Sequence, residues 1–179
     1  MQLTEKTLSS REIFKGNVVH LFEDTVQLEN GKEATREWVK HPGGVCVLAI
    51  TNENKVVMVR QFRYAHKLVS LEIPAGKLEP GEDPTLCGIR ELEEETGYKA
   101  ESFEFFAKML PTPAYVGEVI YIYLARGLHK VAQKLDEDEF LEVEEIDFEE
   151  AVRMALNNEI PDAKTQLALL KAQLLLKNM

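Results

Sequence analysis

Residues 76–98 read G-K-L-E-P-G-E-D-P-T-L-C-G-I-R-E-L-E-E-E-T-G-Y, and they predict a loop that leads into a short acidic helix. Asp83 is suited to cap the helix N-terminus, Pro84 to occupy the first turn, and Gly97 to end the helix with a positive φ. The pattern therefore predicts a helix over residues 84–96.

Three glutamates of this helix, Glu91, Glu94 and Glu95, stand at positions i, i+3 and i+4, so their side chains project from one face. Like charges on one face repel by roughly 0.2–0.5 kcal/mol per i,i+4 pair. Hard divalent cations such as Mg²⁺ bind carboxylates together with substrate phosphates. The cluster therefore predicts a metal-binding face, and an ordinary solvated acidic helix is the alternative.

The other faces of the helix give three further expectations. The apolar side chains predicted to face a core, roughly opposite the carboxylates, are Leu86, Ile89 and Leu92. Cys87 and Gly88 are small and are expected to leave room for a ligand beside the carboxylates. Arg90 lies four residues before Glu94 and can pair with it or hold the preceding loop through charge-assisted hydrogen bonds.

The composition indicates one compact domain rather than a secreted or membrane protein. The chain has 179 residues, 45% of them hydrophobic and 29% charged, which is ordinary for a globular protein. Its net charge of −10 argues against a broad nucleic-acid-binding surface. Two cysteines are too few for a disulfide framework, and no secretory or membrane segment is evident, so the expected location is the cytoplasm.

Two hairpins are predicted in the first third of the chain. The Asn30-Gly31 pair predicts a turn between strands at residues 18–28 and 32–39. A turn at residues 52–54 predicts a second hairpin between strands at residues 44–50 and 55–61. The first of these two strands is apolar throughout and is expected to be buried on both faces.

Strands and then helices follow the acidic helix in the remainder of the chain. The further predicted strands are residues 102–110, 119–125 and 141–146, and the further predicted helices are residues 148–156 and 162–177, with Asp162 as a possible N-cap. This order indicates an α+β fold with α/β/α layers.

The acidic segment resembles the Nudix box, G-x5-E-x7-R-E-U-x-E-E-x-G-U, in which U is an aliphatic residue. The matching positions are Gly76, Glu82, Arg90, Glu91, Leu92, Glu94, Glu95 and Gly97. The final position differs, because Tyr98 replaces an aliphatic residue. The resemblance implies the Nudix fold, a mixed β-sheet between helices, preceded here by an N-terminal antiparallel β extension.

Three neighbouring features resemble the ADP-ribose pyrophosphatase subgroup of that family. They are the segment L-E-I-P-A-G at residues 71–76, the Q-F-R sequence at residues 61–63, and Pro113, sixteen residues after Gly97. The resemblance implies hydrolysis of the diphosphate of ADP-ribose to AMP and ribose 5-phosphate. The alternatives are another nucleoside-diphosphate sugar, a nucleoside triphosphate, or a non-catalytic nucleotide-sensing module.

The resemblance also implies roles at the metal site. The implied metal ligands, for two or more Mg²⁺ or Mn²⁺ ions, are Glu91, Glu94, Glu95 and the carbonyl of Ala75. Arg90 is expected to support catalysis, and Glu82 to orient Arg90 or water, or to be solvated. A general base is expected from the acidic run at residues 135–140, with Glu139 preferred over Glu137, although most of such a run is ordinarily solvated.

Substrate-binding residues are expected outside the box. The candidates are Arg63, Arg60, Glu72, Trp38 and Glu118. Arginine can grip a phosphate bidentately, and a tryptophan can stack on adenine. The alternatives are surface ion pairs for the arginines, a core position for Trp38 and a strand-edge position for Glu118.

The domain organisation follows from the same resemblance. Residues 1–40 are expected to form an N-terminal β-hairpin region used in dimerisation and adenosine contact, and residues 41–179 the Nudix hydrolase domain. The expected partners are a small-molecule nucleoside diphosphate sugar and a second copy of the chain in a homodimer, with no nucleic acid and no membrane. The leucine-rich helix at residues 162–177 fits either a core or an interface.

Overall fold

A computed structural model describes residues 3–135, 137 and 139–176 of the chain. The elements in chain order are β1 (Lys6–Lys15), β2 (His20–Gln27), β3 (Glu33–Lys40), β4 (Gly44–Ala49), β5 (Lys55–Arg63), β6 (Leu68–Glu72), β7 (Ala75–Lys77), α1 (Pro84–Thr96), β8 (Tyr98–Met109), β9 (Ile120–Lys130), β10 (Leu141–Asp147), α2 (Phe148–Leu156) and α3 (Ala163–Leu176).

The chain divides into two compact units. The first comprises Met1–Gly43 and Leu110–Val119, and it contains the antiparallel sheet β1-β2-β3. The second comprises Gly44–Met109 and Ile120–Met179. It contains two sheets, ordered β10-β5-β6 and β7-β4-β9-β8, and the latter is mixed because β4 runs parallel to β9.

The core of the second unit lies on both faces of β4, whose six residues are all buried. Successive strand residues point to opposite faces. Cys46 and Leu48 pack in the cluster that holds the buried residues of α2 and α3, whereas Val47 packs with Leu92 of α1. The predicted α/β/α arrangement of a mixed sheet between helices is confirmed.

Helix α1 has the predicted bounds, and local chemistry explains both ends. The Asp83 carboxylate accepts hydrogen bonds from the backbone N–H groups of Thr85 and Leu86, at 2.9 and 3.3 Å, and Pro84 occupies the first turn. Gly97 ends the helix with φ 67° and donates its N–H to the carbonyl of Glu93.

The face that α1 buries is not the predicted one. Leu86 and Ile89 are 64% and 41% exposed, and only Leu92 of the predicted apolar face is buried. The helix instead buries Glu91 and Glu95. The apolar-face argument failed here because it assumes that a helix turns its charged side to water, and these carboxylates face protein.

The room expected at Cys87 and Gly88 is filled by aromatic side chains. Cys87 is fully buried and packs in a cluster with Tyr123, and a Cβ at Gly88 would lie 2.8 Å from a ring carbon of Phe103. Small residues at these two positions therefore let α1 approach the sheet closely, and they do not make space for a ligand.

The hairpin predicted around Asn30-Gly31 is confirmed, whereas the one at residues 52–54 is wrong. Strands β2 and β3 pair in antiparallel register from His20–Lys40 to Gln27–Glu33. Strands β4 and β5 belong to different sheets and share a single isolated bridge, Ile50 to Val56. A local turn links the two strands, but the parallel partner of β4 comes from residues 120–125, far along the chain.

The other predicted elements are present, but β8 begins at Tyr98 rather than residue 102 and β9 extends to Lys130 rather than residue 125. Strands β6 and β7 were not predicted. Helix α2 spans the predicted residues, and Asp162 caps α3 by accepting a hydrogen bond from the N–H of Thr165 at 2.9 Å. Lys177, the predicted end of α3, lies outside the described residues. The early part of β1 was missed because every residue of this strand is exposed and polar residues dominate its first half. Over the described residues, no helix is long and apolar enough to cross a membrane.

Candidate active site

Two carboxylates one turn apart on α1 are buried against the segment that precedes the helix. Glu91 and Glu95 are 7% and 3% exposed. The backbone N–H of Ala75 donates to Glu95 Oε2 at 2.8 Å, which ties the start of β7 to the helix. The carboxylates and the Ala75 backbone, which resemblance assigns to metal binding, are thus brought together.

Gly76, the first residue of the motif, lies directly over Glu91. A Cβ at this position would fall 1.9 Å from Glu91 Oε1, far inside van der Waals contact. A side chain here would force the carboxylate or β7 to move. The glycine therefore sets how closely β7 approaches α1.

Arg90 connects the loop before α1 to the glutamates on the helix. Its Nε and Nη2 donate to the two carboxylate oxygens of Glu82 at 3.1 and 3.2 Å, and its Nη1 donates to Glu94 Oε2 at 2.9 Å. Nη1 also lies 2.9 Å from Glu91 Oε1. Hydrogen bonding from Arg90 is the main cause that lowers the pKa of Glu82 to about 2.

The electrostatics of the two buried carboxylates favour a cation. Burial, and after it the charges of Glu91 and Glu139, raises the pKa of Glu95 to about 8 against the opposing Ala75 hydrogen bond. Burial likewise raises the pKa of Glu91, which Arg90 partly offsets. An added positive charge would favour the ionised form of both groups.

The described side chains do not enclose a metal ion by themselves. Among them, no three Asp, Glu, His or Cys residues form a group that could hold one. Mg²⁺ commonly takes only one or two carboxylates and completes its shell with waters and substrate phosphates. Glu91, Glu95 and the Ala75 carbonyl fit such an open site, which the substrate would complete.

In the same unit, the half-exposed Arg63 forms an ion pair with the buried Glu72. Arg63 Nε donates to Glu72 Oε1 at 2.7 Å, and Nη2 donates to Oε2. Lys164 of α3 also donates to Glu72 Oε2. Burial would raise the pKa of Glu72, but Arg63 and Lys164 outweigh it and hold the pKa at about 2.

Arg63 is also close enough to Glu95 for its charge to favour the ionised carboxylate. Arg60, on the opposite face of β5, pairs with Glu144 of β10, and both side chains are more than one third exposed. The structure therefore places Arg63 within electrostatic reach of Glu95, whereas Arg60 is paired with Glu144.

The two candidates for a general base differ in their surroundings. Glu137 is exposed, whereas Glu139 is partly buried and its charge acts on both Glu91 and Glu95. Glu139 is thus tied electrostatically to the carboxylate cluster.

Trp38 and Glu118 belong to the first unit, where each has partners of its own. Trp38 stacks on Phe22 with 5.0 Å between ring centroids and donates its indole N–H to Asp24 at 2.9 Å. Glu118 lies 3.5 Å from His41. These contacts fix the orientation of the indole and give Glu118 a titratable neighbour.

Sequence reasoning missed Lys164 and Thr165 at the start of α3. Lys164 is 7% exposed, and the Thr165 hydroxyl accepts the N–H of Ile73 at 3.0 Å. The available signal was Asp162, which was predicted as a helix cap. No local pattern indicates that the first turn of this helix contacts Ile73, 92 positions earlier in the chain.

Comparisons with known proteins agree with this geometry. The NUDIX domain model matches residues 40–169, and a model described as the nucleoside diphosphate sugar hydrolase N-terminal domain matches residues 5–39. A crystal structure of an ADP compounds hydrolase superposes with a TM-score of 0.87 at 20% identity, covering 99% of this chain and 97% of that one, which shows the fold.

Two relatives match over nearly the whole chain. The methanol dehydrogenase activator of Bacillus methanolicus is 48% identical, over 95% of this chain and 93% of the relative. The ADP-ribose pyrophosphatase of Bacillus subtilis (strain 168) is 45% identical, over 96% of this chain and 94% of the relative. The motif, the fold and these matches together establish that the chain belongs to the Nudix hydrolase family.

Proposed function

We propose that this Nudix hydrolase cleaves the diphosphate of ADP-ribose to AMP and ribose 5-phosphate. The observation that carries the proposal is the pair of buried carboxylates, Glu91 and Glu95, whose pKa values are raised, with Arg63 within electrostatic reach of Glu95. The pair suits a cation, and the arginine suits a phosphate. The relative from Bacillus subtilis named ADP-ribose pyrophosphatase supports the choice of substrate.

Nudix hydrolases use divalent metal ions, and we propose Mg²⁺, with Mn²⁺ as a substitute, in two or more sites. Glu91 and Glu95 would be the principal ligands, with Glu94 and the Ala75 carbonyl completing the protein share. Bound ions of this kind neutralise the non-bridging oxygens of a diphosphate and lower the pKa of water. Arg90 would keep Glu91 and Glu94 in place through the contacts described above.

Glu139 would act as the general base, and Glu137 is the second choice. A water oxygen attacks one phosphorus and forms a new P–O bond while the bridging P–O bond breaks. The proton of that water passes to the Glu139 carboxylate. The electrostatic contact of Glu139 with Glu91 and Glu95 supports this role, and a base must lie within reach of the proton that it takes.

Arg63 would bind a substrate phosphate, assisted by Glu72 and less strongly by Arg60. Trp38 would stack on adenine, and Glu118 would contact the ribose or a water.

We further propose that residues 1–40 contact the adenosine and mediate homodimerisation, with residues 41–179 as the hydrolase domain. The match of residues 5–39 to an N-terminal domain of nucleoside diphosphate sugar hydrolases supports this division. The proposed location is the cytoplasm.

A substrate panel tests the proposal. Purified protein is assayed with Mg²⁺ against ADP-ribose, other nucleoside-diphosphate sugars and nucleoside triphosphates, with Glu95→Gln as the inactive control. We expect the highest kcat/KM for ADP-ribose. Preference for another sugar nucleotide or for triphosphates would replace the substrate, and no turnover would favour the non-catalytic sensor.

A second candidate function comes from the relative that is 48% identical and is named for activating methanol dehydrogenase. The chain would then raise the rate of an alcohol dehydrogenase. The test adds wild type or Glu95→Gln to a methanol dehydrogenase assay. A rate increase that requires Glu95 would support this function, and an unchanged rate would reject it.

A further inference from the structure

Helix α3 contributes a buried cation to the second unit, and the mechanism above does not use it. The Lys164 side chain is 9% exposed, and its ammonium group contacts two carboxylates, Glu72 and Asp162. A buried lysine is costly unless it is paired. Burial alone would lower the pKa of Lys164, but the charges of Asp162 and Glu72 outweigh it, so the pKa lies above its ordinary value.

The two partners depend on Lys164 to different degrees. Asp162 is the cap of α3, and its Oδ2 already accepts the N–H and the hydroxyl of Thr165 at 2.9 and 2.6 Å. A helix N-terminus also favours a negative charge. Glu72, by contrast, is bound by Arg63 and Lys164, and its side chain is only 3% exposed.

Arg63 and Lys164 differ in their access to solvent. The Arg63 side chain is 40% exposed and the Lys164 side chain is 9% exposed. An incoming anion can therefore reach the guanidinium more readily than the ammonium group. If Arg63 turned toward that anion without another cation nearby, a buried carboxylate would be left unpaired, which is strongly unfavourable.

We propose that Lys164 is a positioning residue that keeps Glu72 paired while Arg63 transfers hydrogen bonds to a substrate phosphate. Glu72 then holds Arg63 in a ready orientation in the free enzyme and releases it at low cost. Lys164 itself does not touch the substrate. The inference rests on the proposed function, because it assigns Arg63 to a phosphate of the diphosphate.

The same region also ties α3 to the segment next to the metal site. Thr165 accepts the N–H of Ile73, which lies two residues before Ala75. Loss of Lys164 could therefore act through backbone position as well as through charge. The experiment has to separate these two routes.

Steady-state kinetics on three variants separate them. Lys164→Met removes the positive charge of the lysine, and the double variant Lys164→Met with Glu72→Gln removes both charges of the pair. Asp162→Asn removes the charge of the other partner of Lys164 while keeping a capping side chain. In Lys164→Met, Arg63 is the sole cation on Glu72, so we expect KM to rise about tenfold, the equivalent of one charged hydrogen bond. We expect kcat to change less than about threefold and Asp162→Asn to resemble wild type.

The double variant gives the decisive comparison. With a neutral residue at 72, Arg63 no longer has a charge to hold it, so KM should return to within about threefold of the Glu72→Gln single variant. A KM that stays about tenfold above that variant would show that Lys164 contacts the substrate or supports the backbone, and it would overturn the inference. An unchanged KM in folded Lys164→Met would overturn it as well.

Thermal unfolding and calorimetry test the role of Lys164 if the kinetic comparison fails. If thermal unfolding shows that Lys164→Met does not fold, the KM of the double variant is compared with the KM of the Glu72→Gln single variant, again with about threefold as the limit. If wild type hydrolyses no diphosphate, the proposed function fails. In that case calorimetry measures the affinity of each variant for inorganic pyrophosphate in the presence of Mg²⁺. Weaker binding by Lys164→Met that is restored in the double variant would support the proposed role of Lys164.

Discussion

Two glutamates of the second unit, Glu72 and Glu95, are almost equally buried but are in opposite electrostatic situations. They are 2% and 3% exposed. The pKa of Glu72 is held at about 2, whereas that of Glu95 is raised to about 8. Burial alone would raise the pKa of both carboxyl groups, so the difference comes from the neighbours of each one.

Glu72 is paired directly with cations, whereas Glu95 is affected more by the charges of other acids than by that of Arg63. Glu72 is bound by Arg63 and Lys164. In the described chain no cation pairs directly with Glu95, which receives the Ala75 N–H and lies near further carboxylates. The charge of Glu72 is compensated within the protein, whereas an added positive charge would favour the ionised form of Glu95.

The largest expected effect is on catalysis. Glu95→Gln should lower kcat/KM by about 10³-fold, because a neutral amide loses the charge that holds a divalent ion. The measurement is Mg²⁺-dependent release of AMP from ADP-ribose, with Leu86→Gln, an exposed change on the same helix, as the matched control. Activity within about threefold of wild type in Glu95→Gln would remove this residue from the metal site.

Gly76 tests the geometry of the same site. Gly76→Ala should lower kcat by about 10²-fold, because the added methyl group overlaps Glu91 and would displace this proposed metal ligand. Gly117→Ala is the control, since a Cβ there would lie 3.5 Å from its nearest neighbour, an ordinary contact. Equal activities of the two variants would contradict the close approach of β7 to α1.

Removing the charge of Glu72 should lower the stability of the fold, whereas removing the charge of Glu95 should raise it. Glu72→Gln leaves Arg63 and the buried Lys164 without their shared carboxylate, so the free energy of unfolding should fall by about 3 kcal/mol or more. Urea unfolding of metal-free protein at neutral pH measures the change. A variant as stable as wild type would show that the two cations do not depend on Glu72.

The pH dependence of stability should also separate the two carboxylates. Because the folded pKa of Glu95 lies above its ordinary value of 4.5, its contribution to stability is present at low pH and is lost as pH rises toward about 8. Glu72 has a lowered pKa, so its contribution is present above about pH 4.5 and is lost as pH falls toward about 2.

Melting curves in EDTA between about pH 6 and pH 9 test this difference, because Glu95 titrates in that interval and Glu72 does not. The melting temperature of wild type should fall more steeply over the interval than that of Glu95→Gln. Parallel curves for the two proteins would mean that Glu95 does not titrate there.

The smallest effect is expected at Arg60. Its partner Glu144 is about as exposed as Arg60 itself, and such pairs contribute less than about 1 kcal/mol. Arg60→Gln should change KM by no more than about threefold, whereas Arg63→Gln should raise KM by about tenfold or more. The reverse order of the two effects would transfer phosphate binding from Arg63 to Arg60.

The sequence specified local structure well where the responsible groups are neighbours in the chain. Asp83, Pro84 and Gly97 determine the ends of α1 through contacts within a few residues. The spacing of the acidic motif likewise predicted that Glu91 and Glu95 share a face. Capping and helical periodicity require no knowledge of the rest of the fold.

Features that depend on distant partners could not be predicted in this way. The turn after β4 indicated a hairpin, but β4 pairs with β9 and β7. The exposure of Leu86 and the burial of Glu95 depend on which element covers α1. Lys164 resembled an ordinary surface lysine, because its partner Glu72 lies 92 positions away in the sequence.

The central claim is that the carboxylates of α1 are held in the protein for a cation, and thermal unfolding of Glu95→Gln with and without Mg²⁺ tests it most directly. In EDTA at about pH 8 the variant should melt several degrees above wild type, because a neutral amide removes the unfavourable buried charge. Adding Mg²⁺ should raise the melting temperature of wild type much more than that of the variant. A variant that melts below wild type in EDTA and retains the full Mg²⁺ response would contradict the claim.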